Sequence, residues 1–347
     1  MAKIYGFTLL RNGIKYDYSF KECLLALSEL VEKIYIAVGE SDDGTREALE
    51  EFDFLEIIDT KWDPEMMGDG GQILSHQTNI ALEHLRKEHG SDPDAWGMYL
   101  QCDELIHERD LEQIKEDIEA AHKGNHDSVR FRYLHFWKDH YHIAISKRWY
   151  PQEVRCIKLD QEIWSFGDAQ GFSGIKNLYE SDCHIYHYGH VRDAEKLAEK
   201  QELLTRMIRP AEKFKKYFSR EKKAFSKTKY IPLLERHPIL MKERIEKMGE
   251  SYELRESDLV YIVGDRSLLD ESLLERVNTK KLIFVNNPEE VPFEYRDKKM
   301  VILSPTLFQN FLYPSKTPKS FESPIAREWS ESIRLKFQLS EKGISLS

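Results

Sequence analysis

Ile34-Tyr35-Ile36-Ala37-Val38-Gly39-Glu40-Ser41-Asp42-Asp43-Gly44-Thr45 joins an apolar, β-branched run to an acidic turn. Ile34 to Val38 read as a buried strand that ends at Gly39, and Ser41 to Thr45 read as a turn opening a helix over Thr45 to Phe52. On the N-terminal side, Ile4 to Leu10 is another short apolar run. Phe20 to Val31 carries Phe20, Leu24, Leu27, Leu30 and Val31 at helical spacing, so the unit is β-α-β. On the C-terminal side, Leu55 to Ile58 is a further strand, and a glycine-rich loop at Met67 to Gly71 precedes a helix from Ile73 to Arg86. Ala95 to Leu100 is then a strand ending at Gln101-Cys102-Asp103-Glu104. Strands alternating with helices specify a mainly parallel sheet, whose ligands gather beyond the carboxyl ends of the strands. Both acidic clusters, Asp42/Asp43 and Asp103/Glu104, follow such ends.

From about 128 to 188 the pattern turns β-rich and aromatic, with strands expected at Val129–Tyr133, Glu153–Lys158 and Ser181–Tyr188. From Asp193 to about Met248 it is helical and charged. Between Lys213 and Lys229 eight of seventeen residues are basic and only Glu221 is acidic, with Phe214, Tyr217, Phe218 and Phe225 on one helical face. A strand at Leu259–Val263 restarts the α/β pattern, followed by strands at Lys281–Val285 and Met300–Leu303 and a last helix near Ala326–Phe337. Three parts result: 1–192, a charged helical segment 193–250, and a small α/β domain 251–347.

The 347 residues carry 61 acidic and 51 basic side chains, a net charge of −10 that argues against a surface built to grip nucleic acid. Hydrophobic residues at 41% suffice for a packed core and exclude disorder. No run reaches the ~18 apolar residues of a membrane helix, and MAKIYGFTLLRNG is broken at Arg11 before a signal-peptide core forms, which predicts a cytoplasmic protein. Cys23, Cys102, Cys156 and Cys183 form no CxxC pair and read as reduced, mostly buried thiols. Cys183, His184, His187 and His190 resemble a zinc cluster at first sight, but strand alternation splits them across two faces.

Two acidic turns at neighbouring strand ends suit a divalent cation carrying a diphosphate, since hard oxygen ligands match Mg²⁺ or Mn²⁺. The Asp-Asp-Gly-Thr turn serves equally as a helix cap. Seven segments decide more in their order: Thr8–Asn12, Val38–Thr45, Gln77–Leu82, Tyr99–Glu104, Arg148–Tyr150, Asp168–Phe172 and Ile185–Gly189. In these the chain resembles bacterial family 2 glycosyltransferases of the GT-A fold, over about Tyr5 to Tyr188 and more weakly to Met248.

The resemblance implies an α/β fold of GT-A type, a mixed sheet flanked by helices, with residues 1–192 as the catalytic domain. It implies donor contacts from Arg11, Glu40, Asp43, Asn79 and Gln101, with Gly39 and Gln101 standing where the family usually has carboxylates. It implies a metal, Mn²⁺ or Mg²⁺, on Asp103 with Glu104 and His187, and a catalytic base at Asp168, with Glu162 and Asp182 in reserve. The activity implied is inverting transfer of a sugar from a UDP- or GDP-linked donor to a glycan or lipid-linked acceptor, in cell-surface polysaccharide or lipopolysaccharide synthesis. Trp137, His140, His142, Trp149 and Tyr150 offer either an acceptor platform or packing for the sheet. The basic stretch 213–229 offers either peripheral contact with anionic lipid at the inner face of the membrane or an aromatic face docked on the catalytic domain. Two other functions stay open: a sugar-phosphate nucleotidyltransferase, for which Leu10-Arg11-Asn12-Gly13 is a spare phosphate loop, and a non-catalytic nucleotide-sugar binding protein.

Overall fold

In a computed structural model of the chain, Leu10 at the end of the first strand pairs in parallel with Val38 at the end of the second. The structure describes residues 1–144, 148–228, 230–233 and 235–249, and five short strands: Leu254–Ser257, Val260–Val263, Val277–Thr279, Leu282–Val285 and Val301–Leu303. The helix expected near 326–337 lies outside the described residues. The chain divides into two compact units, Met1–Ile231 with His237–Gly249, and Pro232–Arg236 with Glu250–Ser347. In the second unit Val260–Val263 lies between Leu282–Val285 and Val301–Leu303 in a parallel sheet, and Leu254–Ser257 pairs with Val277–Thr279.

The first unit runs β1 (Lys3–Leu10), α1 (Phe20–Ser28), β2 (Ile34–Gly39), α2 (Thr45–Leu49), β3 (Leu55–Thr60), α3 (Gln72–His89) and β4 (Ala95–Tyr99). It continues with β5 (Glu104–Ile106), α4 (Leu111–Lys123), β6 (Ser128–His135), β7 (His142–Ala144), β8 (Gln152–Lys158), β9 (Trp164–Phe166), β10 (Gly171–Ser173) and β11 (Leu178–His187). Helices α5 (Ala194–Ile208), α6 (Phe214–Phe225) and α7 (Lys242–Met248) close it. The mixed α/β architecture expected from the sequence is the one observed. Helix α1 stops at Ser28, three residues before its expected end, and α4 and the short β5 had no reading in the sequence.

Eight strands form one sheet in the order β3-β2-β1-β4-β8-β6-β11-β5. Strands β1 to β4 are parallel; β8 is antiparallel to both β4 and β6, β11 is parallel to β6, and β5 is antiparallel to β11. The carboxyl ends of β1, β2, β4, β6 and β11 therefore share an edge with the starts of β5 and β8. Because the order reverses at β1, between β2 and β4, a crevice opens at that edge.

Every residue of β2 is buried, as expected of a strand covered on both faces, which reads as a continuous apolar run. Consecutive residues of β1 show the two layers. A methyl on Gly6 would meet Leu27 of α1, whereas Phe7 packs in the cluster with Ala81, Leu82 and Leu85 of α3. Burying each such leucine is worth ~1.5–3 kcal/mol. All four cysteines are buried and unpaired. Among the described residues no helix is long and apolar enough to cross a membrane.

Candidate active site

The crevice is a cleft of about 440 Å³ within the first unit. Leu10 at the end of β1, Arg11 after it, and Gln101 to Asp103 beyond β4 line it. Lys200 and Leu204 of helix α5 line it, and the chain after the helix adds Arg209. Asp168 and Gln170 line it too, with the aromatic rings of His135, Trp149, Tyr150 and Phe225.

Asp103 is only 3% exposed and meets a cluster of nitrogen groups. Lys200 donates to its Oδ2 at 2.6 Å, the Arg192 guanidinium stands 3.6 Å from that oxygen, and His187 Nε2 lies 3.7 Å from Oδ1. Burial opposes the Asp103 charge, yet Lys200 and Arg192 hold the carboxyl below the usual carboxylate range. Burial, aided by Arg192, brings Lys200 down to about 8 against the pull of Asp103. The pair is thus ionised at neutral pH.

Hydrogen-bond partners assign the tautomers behind it. The Tyr150 carbonyl only accepts, so His135 Nε2 at 2.7 Å carries a proton. Burial keeps His135 neutral, so its Nδ1 accepts from His187 Nδ1 at 2.8 Å. His187, also pushed down by burial, then presents a bare Nε2 toward Asp103.

Glu104 turns away from the cleft. It is fully buried against Arg155, likewise fully buried, with Arg155 Nε and Nη2 donating to its two oxygens at 3.0 and 2.9 Å. The Tyr133 hydroxyl and the Gln101 amide add bonds of 3.0 Å each. Arg155 also donates to the Gln170 carbonyl at 2.6 Å. One guanidinium therefore ties the Gln101–Glu104 turn to the loop that carries Asp168. The expectation that Glu104 ligates a metal is corrected on this geometry, because all its acceptor capacity serves the clasp. Of the two remaining expected ligands, Asp103 already has Lys200 on Oδ2, and its Oδ1 lies 3.7 Å from His187 Nε2. Among the described residues no group of three His, Cys, Asp or Glu side chains is arranged to hold one. The donor set does not fit the expected Mn²⁺ or Mg²⁺.

Asp168 faces the cleft, and burial raises its pKa against hydrogen bonds from its own and the Gln170 amide and the pull of Arg209. Its loop is held tightly: Ala169 adopts φ 61°, and a methyl on Gly71 would meet Asp168 Cβ at 2.7 Å. Close approach thus requires glycine at 71. Burial lifts nearby Glu153 to about 7, with Glu104 and Asp168 adding to the rise and Arg155 opposing it.

The remaining expected residues separate. Arg11 lines the cleft, donating from Nε to the Glu40 carbonyl at 3.1 Å, and Glu40 borders an adjoining recess with Asn12 and Asp42. Asp43 accepts from the Lys15 amide at 2.6 Å and the Thr45 amide at 3.0 Å, so it holds its own turn. Asn79 clasps Ser165 through bonds of 3.0 and 2.9 Å, fixing β9 to α3. Reading the sequence missed Lys200, Arg192, Arg155, Glu153 and Trp62. Only the last had a signal, the absent side chain at Gly39: a methyl there would collide with the Trp62 indole nitrogen. The Trp62 N–H is buried without a hydrogen-bond partner among the described residues, and the Arg11 guanidinium lies 5.1 Å above its ring.

The basic helix turns its aromatic face inward at Phe225, which stacks on Trp137 at 5.2 Å beneath the Arg148 guanidinium, and Phe218 and Lys222 reach the cleft.

No family model matches the sequence, and no curated protein matches it. Solved structures similar to it include S. aureus TarS, at 13% identity and TM-score 0.34 over 58% of this chain and 39% of that one. The 1-349 form of S. aureus TarS in complex with UDP is similar at 13% identity and TM-score 0.35, over 58% of this chain and 64% of that one. The 4-diphosphocytidyl-2C-methyl-D-erythritol synthase of Anaerococcus prevotii DSM 20548 matches at 13% identity and TM-score 0.28, over 46% and 72%. The chain thus spans 39% of the length of TarS and 64% of its 1-349 form.

Proposed function

We propose that this chain is a glycosyltransferase that moves a sugar with inversion from a UDP- or GDP-linked donor to a glycan or lipid-linked acceptor. The observation that carries the reading is one cleft, at the switch point of the sheet, lined by a half-buried carboxylate of raised pKa, Asp168, and by two cationic side chains, Arg209 and Lys200, the latter held by Asp103.

In this reading the nucleoside enters over Leu10 and Arg11, with the Trp62 N–H offered to a base carbonyl in place of the carboxylate that Gly39 lacks. Gln101, as donor or acceptor, suits a ribose hydroxyl. The diphosphate faces Lys200 and Arg209. The acceptor hydroxyl comes from the side of Trp149 and Tyr150, whose faces suit a sugar ring. Its oxygen bonds the anomeric carbon as the bond from that carbon to the β-phosphate oxygen breaks, and the electron pair stays on the diphosphate. The hydroxyl proton passes to Asp168, whose raised pKa brings it nearer the useful range for a general base.

Incubating the chain with UDP- and GDP-sugars and analysing products by ion-exchange chromatography tests the reading. Release of UDP or GDP with sugar transfer or slow hydrolysis is expected. Formation of pyrophosphate from a nucleoside triphosphate and a sugar phosphate would instead identify a nucleotidyltransferase, and tight binding without turnover a nucleotide-sugar binding protein.

A further inference from the structure

We infer that Lys200, backed by Arg192, takes the place of a divalent cation in this cleft, so that the chain binds the diphosphate of its donor and departs it without metal. The inference rests on the donor reading above and deepens it. An anionic leaving group needs positive charge fixed where charge develops, and a Lys or Arg clamp supplies it as a metal does.

Four features argue for the replacement. Lys200 Nζ is held at 2.6 Å from Asp103 Oδ2 and 3.0 Å from the Gly189 carbonyl, which uses two of the ammonium's three donors and leaves one for a phosphoryl oxygen. Lys200 projects from the middle of α5, is only 6% exposed, and packs over the Tyr18 ring at 4.6 Å, so it is placed before any ligand arrives. Arg192 donates to the same Gly189 carbonyl at 3.0 Å and stands 3.6 Å from Asp103. Together the two side chains bring the charge of one divalent ion to the carboxylate. Glu104, which could have completed a metal shell, is consumed by Arg155. Asp103 accordingly positions Lys200 instead of ligating an ion. As the anomeric carbon–oxygen bond breaks, its electron pair moves onto the β-phosphate beside the ammonium, and no proton transfer to the diphosphate is required.

The test is calorimetric titration of the full chain with UDP and GDP, in EDTA and in Mn²⁺, together with Mn²⁺ uptake by the nucleotide-free protein read by electron paramagnetic resonance. Affinity for the preferred nucleotide is expected to agree in the two buffers, and the wild-type chain is expected to take up no stoichiometric Mn²⁺. Lys200→Met should weaken binding in EDTA by about tenfold or more, the worth of one charged hydrogen bond. Lys200→Arg should retain most of it, and Lys200→Ala should gain Mn²⁺ uptake at Asp103 and His187. Nucleotide binding that appears only with Mn²⁺, or stoichiometric Mn²⁺ on the wild-type chain, would overturn the role of Lys200 while leaving the donor reading intact. Absence of nucleotide binding in both buffers would overturn the donor reading itself and the role built on it. The wild-type arms decide the matter even where a variant fails to fold.

Discussion

Asp168 and Glu153 are two carboxyl groups whose surroundings move them in the same direction for different consequences. Asp168 faces the cleft, so Asp168→Asn keeps shape and capping while losing the proton-accepting charge. Transfer is expected to fall by about 10²–10⁴ with nucleotide affinity nearly unchanged, measured by steady-state kinetics and calorimetry. Wild-type turnover in this variant would send the search to Glu162 and Asp182. Glu153 is lifted from its ordinary 4.5 to about 7. A raised folded-state pKa contributes stability below about 4.5 that is lost as pH rises through about 7. The wild-type melting temperature should therefore drop relative to that of Glu153→Gln between pH 5 and pH 8, and parallel curves would exclude the linkage. The sequence located the Gln101–Glu104 turn without telling which carboxylate faces the cleft, because a turn has no periodicity to read. Lys200 was hidden for a related reason: it meets Asp103 across 97 positions of sequence, from a helix whose charged residues otherwise look like a solvated face.

At the scale of elements, parallel strands were the most legible. Strands β1, β2 and β4 are covered on both faces, so continuous apolar runs marked them, with Gly39 and the Gln101–Glu104 turn marking the ends of β2 and β4. Strand β5, three residues long, is held by pairing to β11 and by the Glu104–Arg155 clasp, and no local pattern encodes it. That clasp is the joint on which the edge depends. Removing one partner of a buried pair strands the other charge, so Arg155→Met is expected to cost ~3–5 kcal/mol in urea unfolding. The double variant Glu104→Met with Arg155→Met should cost less than the sum of the two single changes. Additive costs would show that the two side chains do not act as a pair.

At the scale of the molecule, Glu250–Ser347 groups with Pro232–Arg236 as the second compact unit, whereas the sequence placed 232–236 in the helical segment 193–250. We expect a chain ending at Gly249 to remain soluble and to bind UDP or GDP as the full chain does, as judged by thermal shift. A soluble truncated chain that has lost all nucleotide binding would assign the second unit a part in the donor site. The cysteines give the whole molecule a further property. All four are buried, Cys183 is pushed up to about 12 by its surroundings, and Cys102 and Cys23 point their thiols at the Leu9 and Gln101 carbonyls. Maleimide labelling of the native chain is consequently expected to be slow, with Cys102 in the cleft lining as the thiol to reach first. A single cysteine introduced at Ile14, 47% exposed beside the 41–45 turn, would therefore take a fluorophore well ahead of the native thiols and turn that rim into an optical reporter.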